Sequence, residues 1–198
     1  MQDELLRNYR NLVARVEAHG ARIHDDWSEH LACRSGCSGC CHRTLTVFPV
    51  EAAAIREHIV QEGLPEQVAP PDSGPPKVSP LTLLASEDAK PCAFLDGHGH
   101  CRIYSARPLL CRSHGLPVAV SEESGMKGDC CPLNFQDLGL AQLPSEDFLN
   151  LDATNAVLAA VNLAYARATG VDPSQRVALS DIEAESRVSS PTESPGSA

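Results

Sequence analysis

Cys33, Cys37, Cys40, Cys41 and His42 place four thiols and an imidazole within ten residues. So dense a set of soft donors serves bridging, metal ligation or thiol reactivity. Gly36 and Gly39 permit the tight turns by which nearby sulfurs converge on one ion or cluster. The three-then-two spacing of Cys33, Cys37 and Cys40 lets three sulfurs reach a centre from a single loop. Adjacent side chains diverge, so Cys40 and Cys41 are expected to serve different metals, or opposite sides of a polynuclear site. Five more thiols, Cys92, Cys101, Cys111, Cys130 and Cys131, follow downstream, which gives material for two four-thiolate centres with one cysteine left over. His42, His98, His100 and His114 are able to replace a sulfur, although an exposed or hydrogen-bonded role is the expectation for each taken singly. His30 is a minor candidate.

Composition decides among the three chemistries. The N-terminus has neither the basic start nor the apolar stretch of a secretory signal, and no run of about eighteen apolar residues occurs. A cytoplasmic protein without a membrane span is expected, and in a reducing compartment clustered thiols point to metal before disulfide. The odd count of nine cysteines agrees. A formal charge of -10 with only three lysines argues against a nucleic-acid partner. Metal ions are the expected partners, and nothing in the sequence names a protein partner. Zinc is commonly held by pairs of C-x2-C knuckles, and here only Cys37 and Cys40 form one. The irregular spacing tilts the expectation toward iron or an iron–sulfur cluster over zinc.

Those donors need elements to position them. Leu5, Leu6, Tyr9, Leu12, Val13, Val16, Ile23 and Trp27 recur at helical spacing over residues 3 to about 30, with a charged opposite face and Gly20 as an interruption. Thr44 to Pro49 reads as extended, and a helix follows from about Val50 to Gln61, ending at Gly63. Residues 63–80 hold six prolines and form an excursion without helix or central strand. Residues 81–89 fit one or two helical turns. Asp96-Gly97 is the turn signal of a small hairpin that brings Cys92 and Cys101 together. Cys111 follows a turn or short helix near Arg107-Pro108, and Ser121 to Asp129 reads as loop. A long helix is expected from Ser145 to about Ala168, stopping at Gly170.

Taken with Pro91-Cys92-x-Phe94-Leu95, Cys101-x-Ile103-Tyr104 and Arg107-Pro108-x-x-Cys111-Arg112, the cysteine pattern over residues 33 to 132 resembles the YkgJ-type cysteine-cluster family. That bacterial group is described as zinc- or iron-chelating. Its short loop has the form C-x2-C-x2-C-C, whereas the first gap here, Cys33 to Cys37, is three residues. The resemblance implies that Cys37, Cys40, Cys41, Cys92, Cys101 and Cys111 are metal-site residues, with Cys33, Cys130 and Cys131 as further members. It also implies that Arg107 and Arg112 stand behind the thiolates, donating hydrogen bonds and offsetting their charge. A flagellin lysine methylase branch is similar in its cysteine region, which keeps enzyme activity in view, although the chain has no Gly-rich strand-to-helix motif for a nucleotide. The three-then-two spacing also matches the cluster loop of radical S-adenosylmethionine enzymes, but no repeated strand–helix units follow it.

The expected fold is mainly α, with an irregular cysteine-rich, metal-nucleated centre and one small β-hairpin. A single domain spans residues 1–182, and residues 183–198, rich in Ser, Pro and Glu, form a disordered tail. Three roles follow for a cysteine-ligated metal: metal or redox function, the active centre of a redox or protein-modifying enzyme, and metal storage or delivery.

Overall fold

In the computed structural model, residues 2–34, 36–65, 90–123 and 125–188 are described. The apolar stripe of the N-terminal segment forms helix α1, Gln2–Trp27. Leu6, Tyr9, Leu12 and Val16 bury against Val50 and Ala53 of α2 (Pro49–Glu62), Leu109 of α3 (Leu109–Ser113) and Leu158 of α4 (Leu151–Thr169). Each fully buried aliphatic or aromatic side chain contributes on the order of 1.5–3 kcal/mol, so this cluster anchors the helical layer. Gly20 does not interrupt α1. Leu116 packs over it, with its methyl groups 3.5 and 3.6 Å from where a Cβ would stand, which is ordinary contact.

Two further clusters flank the first. Val47, Ala52, Ile55, Phe94, Ile103, Leu179 and Ile182 close around one side, with Cys92 and Cys101 packed on their edge. Ile23, Leu116, Phe135 and Leu143 close the other, with Trp27 and Cys130 against them. Asp147 is buried beside this third cluster. It accepts the indole N–H of Trp27 at 2.8 Å and pairs with Arg22.

The strands are short. β1 (Thr46–Val47) pairs antiparallel with β5 (Val177–Ala178), where the chain enters helix α5, Leu179–Val188. In a second sheet of order β3-β2-β4, β2 (Val118–Glu122) pairs antiparallel with β3 (Gly125–Asp129) and parallel with β4 (Leu149–Asn150). The mainly helical class with small β elements is thus as expected.

Several boundaries differ from the sequence reading. The hairpin lies at β2–β3, in a stretch read as loop; β3 is exposed throughout and shows no apolar alternation to betray a strand. At Asp96-Gly97 the pairing shrinks to a single bridge, Leu95 to Cys101. Helix α4 starts at Leu151, because Asn150 caps it through Ala153 N–H and Ser145–Asp147 forms a separate 3-10 turn. Gly170 ends it in the left-handed conformation, as expected. The tail does not begin at Glu183: α5 continues through Val188, held by a buried Glu183 that pairs with Arg102 and Arg187. Most of the proline-rich excursion, the helical turns expected at 81–89 and the tail beyond Val188 lie outside the described residues.

Candidate metal centre

Six thiols line one cavity of about 560 Å³: Cys37, Cys40, Cys41, Cys92, Cys101 and Cys111. Three chain segments deliver them, and local hydrogen bonding explains each. In the first, Cys37 N–H donates to Arg34 O at 2.9 Å and Cys41 N–H to Ser38 O at 2.8 Å, so the loop closes into a 3-10 turn over Gly39–Cys41. That turn brings both members of the doublet to the cavity. The doublet therefore does not split between separate places.

The second segment is tied directly to the first by Cys92 N–H donating to Cys41 O at 2.7 Å. Asp96 folds the turn on itself by accepting the N–H groups of His98 at 2.9 Å and His100 at 2.8 Å. With Arg102 N–H on Phe94 O at 2.8 Å, this sets Cys92 and Cys101 near one another, as expected. Gly99 sits at a φ of +82°, and a Cβ there would stand 3.2 Å from Ser38 Oγ. The turn can rest against the cysteine loop because this position has no side chain.

The third segment carries Cys111 on α3, whose position Glu51 fixes. The Glu51 carboxylate, only 4% exposed, accepts Phe48 N–H at the start of α2 and Leu109 N–H at the start of α3, each at 3.0 Å. The sequence reading gave this helix a packing role; its first turn also carries the buried acid that sets α3.

The two arginines implied to stand behind the thiolates separate in role. Arg112 donates to Arg107 O at 2.6 Å and Ser105 O at 2.5 Å and pairs with Glu17 of α1, so it organises the turn and reaches no thiol. Arg107 lines the cavity, with its guanidinium 3.6 Å above the Tyr104 ring and its Nε–H on Tyr104 O at 2.9 Å. It acts on Cys40, Cys101 and Cys111 through its charge. Of the candidate histidines, His100 and His114 line the cavity. His42 is engaged with Ser38 O at 3.1 Å, and His30 with Asp137 at 2.9 Å.

Cys33, Cys130 and Cys131 do not line the cavity. They form a second group organised by Asn134, which is 3% exposed. Its amide accepts Ala32 N–H at 2.8 Å and donates to Gly115 O at 2.7 Å and to Cys33 Sγ at 3.4 Å. Gly115, at a φ of +99°, would place a Cβ 2.8 Å from Cys33 Sγ. Six of the nine cysteines therefore line the cavity, three from the upstream loop and three from downstream.

Burial governs the thiols' acidity. It pushes Cys111 up to about 12 and Cys33 up to about 11, and raises Cys92 and Cys101 as well. Cys40 moves the other way, because the Cys41 thiol donates to it, with His114 and Arg107 adding to the effect. Low dielectric disfavours a bare thiolate, and a cation is what makes several thiolates compatible with one such cavity.

Arg34 and Arg43, at the edges of the cysteine loop, also line the cavity and were not singled out from sequence. Their adjacency to Cys33 and His42 was the available signal. Glu51 and Asn134 had none, because their partners lie far away in sequence.

A small helical protein built around a thiol-lined cavity is a thiolate metal-site architecture in its donor chemistry. Residues 32–132 match the model of the CxxCxxCC family, described as "Putative zinc- or iron-chelating domain". The chain belongs to that family. Cys33, where this chain departs from the short-loop spacing, is the loop thiol that stays out of the cavity. No curated protein and no solved structure matches the chain. The donor set fits the chelating description, since thiolates and imidazoles bind zinc and iron. Among the described residues no group of three or more His, Cys, Asp and Glu side chains is arranged, as it stands, to hold a metal ion.

Proposed function

We propose that Cys37, Cys40, Cys41, Cys92, Cys101 and Cys111 form the metal centre, holding iron as an iron–sulfur cluster or, failing that, zinc, for redox or metal-dependent function. The convergence of these six thiols from three segments on one cavity carries the reading. Six sulfurs exceed the four thiolates that either a tetrahedral zinc site or a single iron–sulfur cluster takes, so the count does not choose between them; the irregular spacing, with Cys37 and Cys40 the one C-x2-C pair, is what favours iron. Ligation needs the thiol side chains to turn toward a common point, by rotation among staggered wells. Burial favours the protonated form of Cys92, Cys101 and Cys111 without a cation, so binding there releases protons. Arg107 then faces thiolates and offsets part of their charge. When bound, the metal supplies a Lewis-acid or one-electron centre; the chain supplies position and a dry wall.

An enzymatic role, with the metal at an active centre, draws support from the size of the cavity. About 560 Å³ lies within the roughly 300–1,000 Å³ typical of small-molecule sites.

The test is anaerobic purification with metal and acid-labile sulfide analysis and visible absorption. Iron with equivalent sulfide and broad absorption is the expected result. Colourless protein with zinc would keep chelation and discard the cluster. Folded protein retaining no metal would overturn the proposal.

A further inference from the structure

The rim of the thiol cavity carries Arg34, Arg43 and Arg107. Neighbouring arginines are consumed by acids: Arg112 pairs with Glu17 and Arg102 with Glu183. Among the described residues these three have no carboxylate partner. The chain has 26 acidic residues to 16 basic ones. Carboxylates are abundant, so three arginines left without one around a single cavity make a local positive field in a negative protein.

Arg107 already acts on Cys40, Cys101 and Cys111, so the thiols account for it. Arg34 and Arg43 are exposed and are not among the main influences on those sulfurs. A different feature occupies the rest of the lining. Leu45, Phe94, Ile103 and Leu179 make an apolar wall, and Tyr104 and Leu110, 64% and 53% exposed, continue it to the mouth. An ion or small cluster does not need such a wall, whereas an organic ligand does. Guanidinium groups supply forked donors that match carboxylate and phosphate oxygens.

We infer that this cavity binds a small organic oxyanion, a carboxylate or phosphate head on an apolar body, with the head between Arg34 and Arg43 and the body along the Leu45–Leu110 wall. The inference rests on the metal-centre reading only in that the bound molecule would lie beside the metal; the arginines and the wall hold it in either case.

The test titrates the anaerobically purified full-length protein with 4-phenylbutyrate, 3-phenylpropyl phosphate and the neutral 4-phenylbutanamide, using calorimetry or ligand-observed NMR, with metal content measured on the same samples. At least one acid should bind about tenfold or more tighter than the amide, the order expected of charge-assisted hydrogen bonds. Which acid binds tighter identifies the head group. In R34Q/R43Q that preference should fall to about unity. L110S, which shortens the wall, should weaken all three probes together. Equal binding of acids and amide, or an acid preference unchanged in R34Q/R43Q, would overturn the inference while a retained metal leaves the metal reading standing. An acid preference in protein that holds no metal would keep the anion site and remove the metal from beside it.

Discussion

Replacing Glu51 with alanine removes one buried acceptor from two backbone donors at once, Phe48 N–H and Leu109 N–H. A buried donor left without a partner costs about 1–3 kcal/mol, so after partial relaxation E51A should lose about 2–5 kcal/mol. E51Q should recover more than half of that, because its amide oxygen keeps one of the two bonds and it carries no charge into the interior. Burial pushes the Glu51 carboxyl above its ordinary range, against the pull of both N–H groups and of Arg176. A carboxyl raised in the fold holds its proton more tightly there than in the unfolded chain. Its contribution is therefore fully present below the ordinary Glu value of about 4.3 and is lost as pH rises through the folded value. Wild type should accordingly lose stability relative to E51Q across that window. Urea denaturation at several pH values, fitted for midpoint and slope, measures both effects. Because Leu109 starts the helix that carries Cys111, E51A should also retain less metal. An E51A stability within about 0.5 kcal/mol of wild type, the usual range of surface changes, would refute the reasoning. So would an E51Q as damaging as E51A.

Asp147→Asn should cost about 1–3 kcal/mol by weakening the hold on Trp27 and Arg22, read as a lower urea midpoint by tryptophan fluorescence. Burial raises the Asp147 carboxyl, but the hydrogen bonds from Arg22 and Trp27 outweigh it and leave the group below its usual range; its stabilisation should persist at neutral pH and disappear in acid titration below about pH 3.9. Gly115→Ala should destabilise by about 1–3 kcal/mol, since a Cβ would crowd Cys33 Sγ at 2.8 Å and the φ of +99° is strained for alanine; a thermal midpoint unchanged from wild type would count against the packing described. Asn134→Ala should free the Cys33 segment, seen as faster labelling of Cys33 by a thiol reagent, with labelling of Cys92 unchanged.

Much of the helical frame was legible because its cause is local. The spacing of Leu6, Tyr9, Leu12 and Val16 fixes one buried face of α1, and Pro49 with Gly63 brackets α2. The closeness of Cys92 and Cys101 was legible too, since Asp96 makes its turn within five residues. The β2–β3 pair was not: Gly125, Lys127 and Gly128 carry no strand signal, and the pairing rests on its register with Val118–Glu122 and on β4. The grouping of thiols was also hidden. Adjacent side chains diverge in an extended chain, but Cys40 and Cys41 lie in a 3-10 turn, where both reach one cavity. Arg112 matched a motif that implied a place behind the thiolates, yet its guanidinium is taken by Glu17, 95 residues earlier. Partners at such separations leave no trace in local spacing.

Metal stoichiometry in cysteine variants tests the central claim most directly. C92S/C111S removes two thiols of the cavity, and C130S removes one of the second group. Measured per folded chain after anaerobic purification, the account predicts that C92S/C111S loses most of its metal while C130S keeps the wild-type amount. Equal retention by the two variants, or equal loss, would contradict a centre built from the six thiols of the cavity.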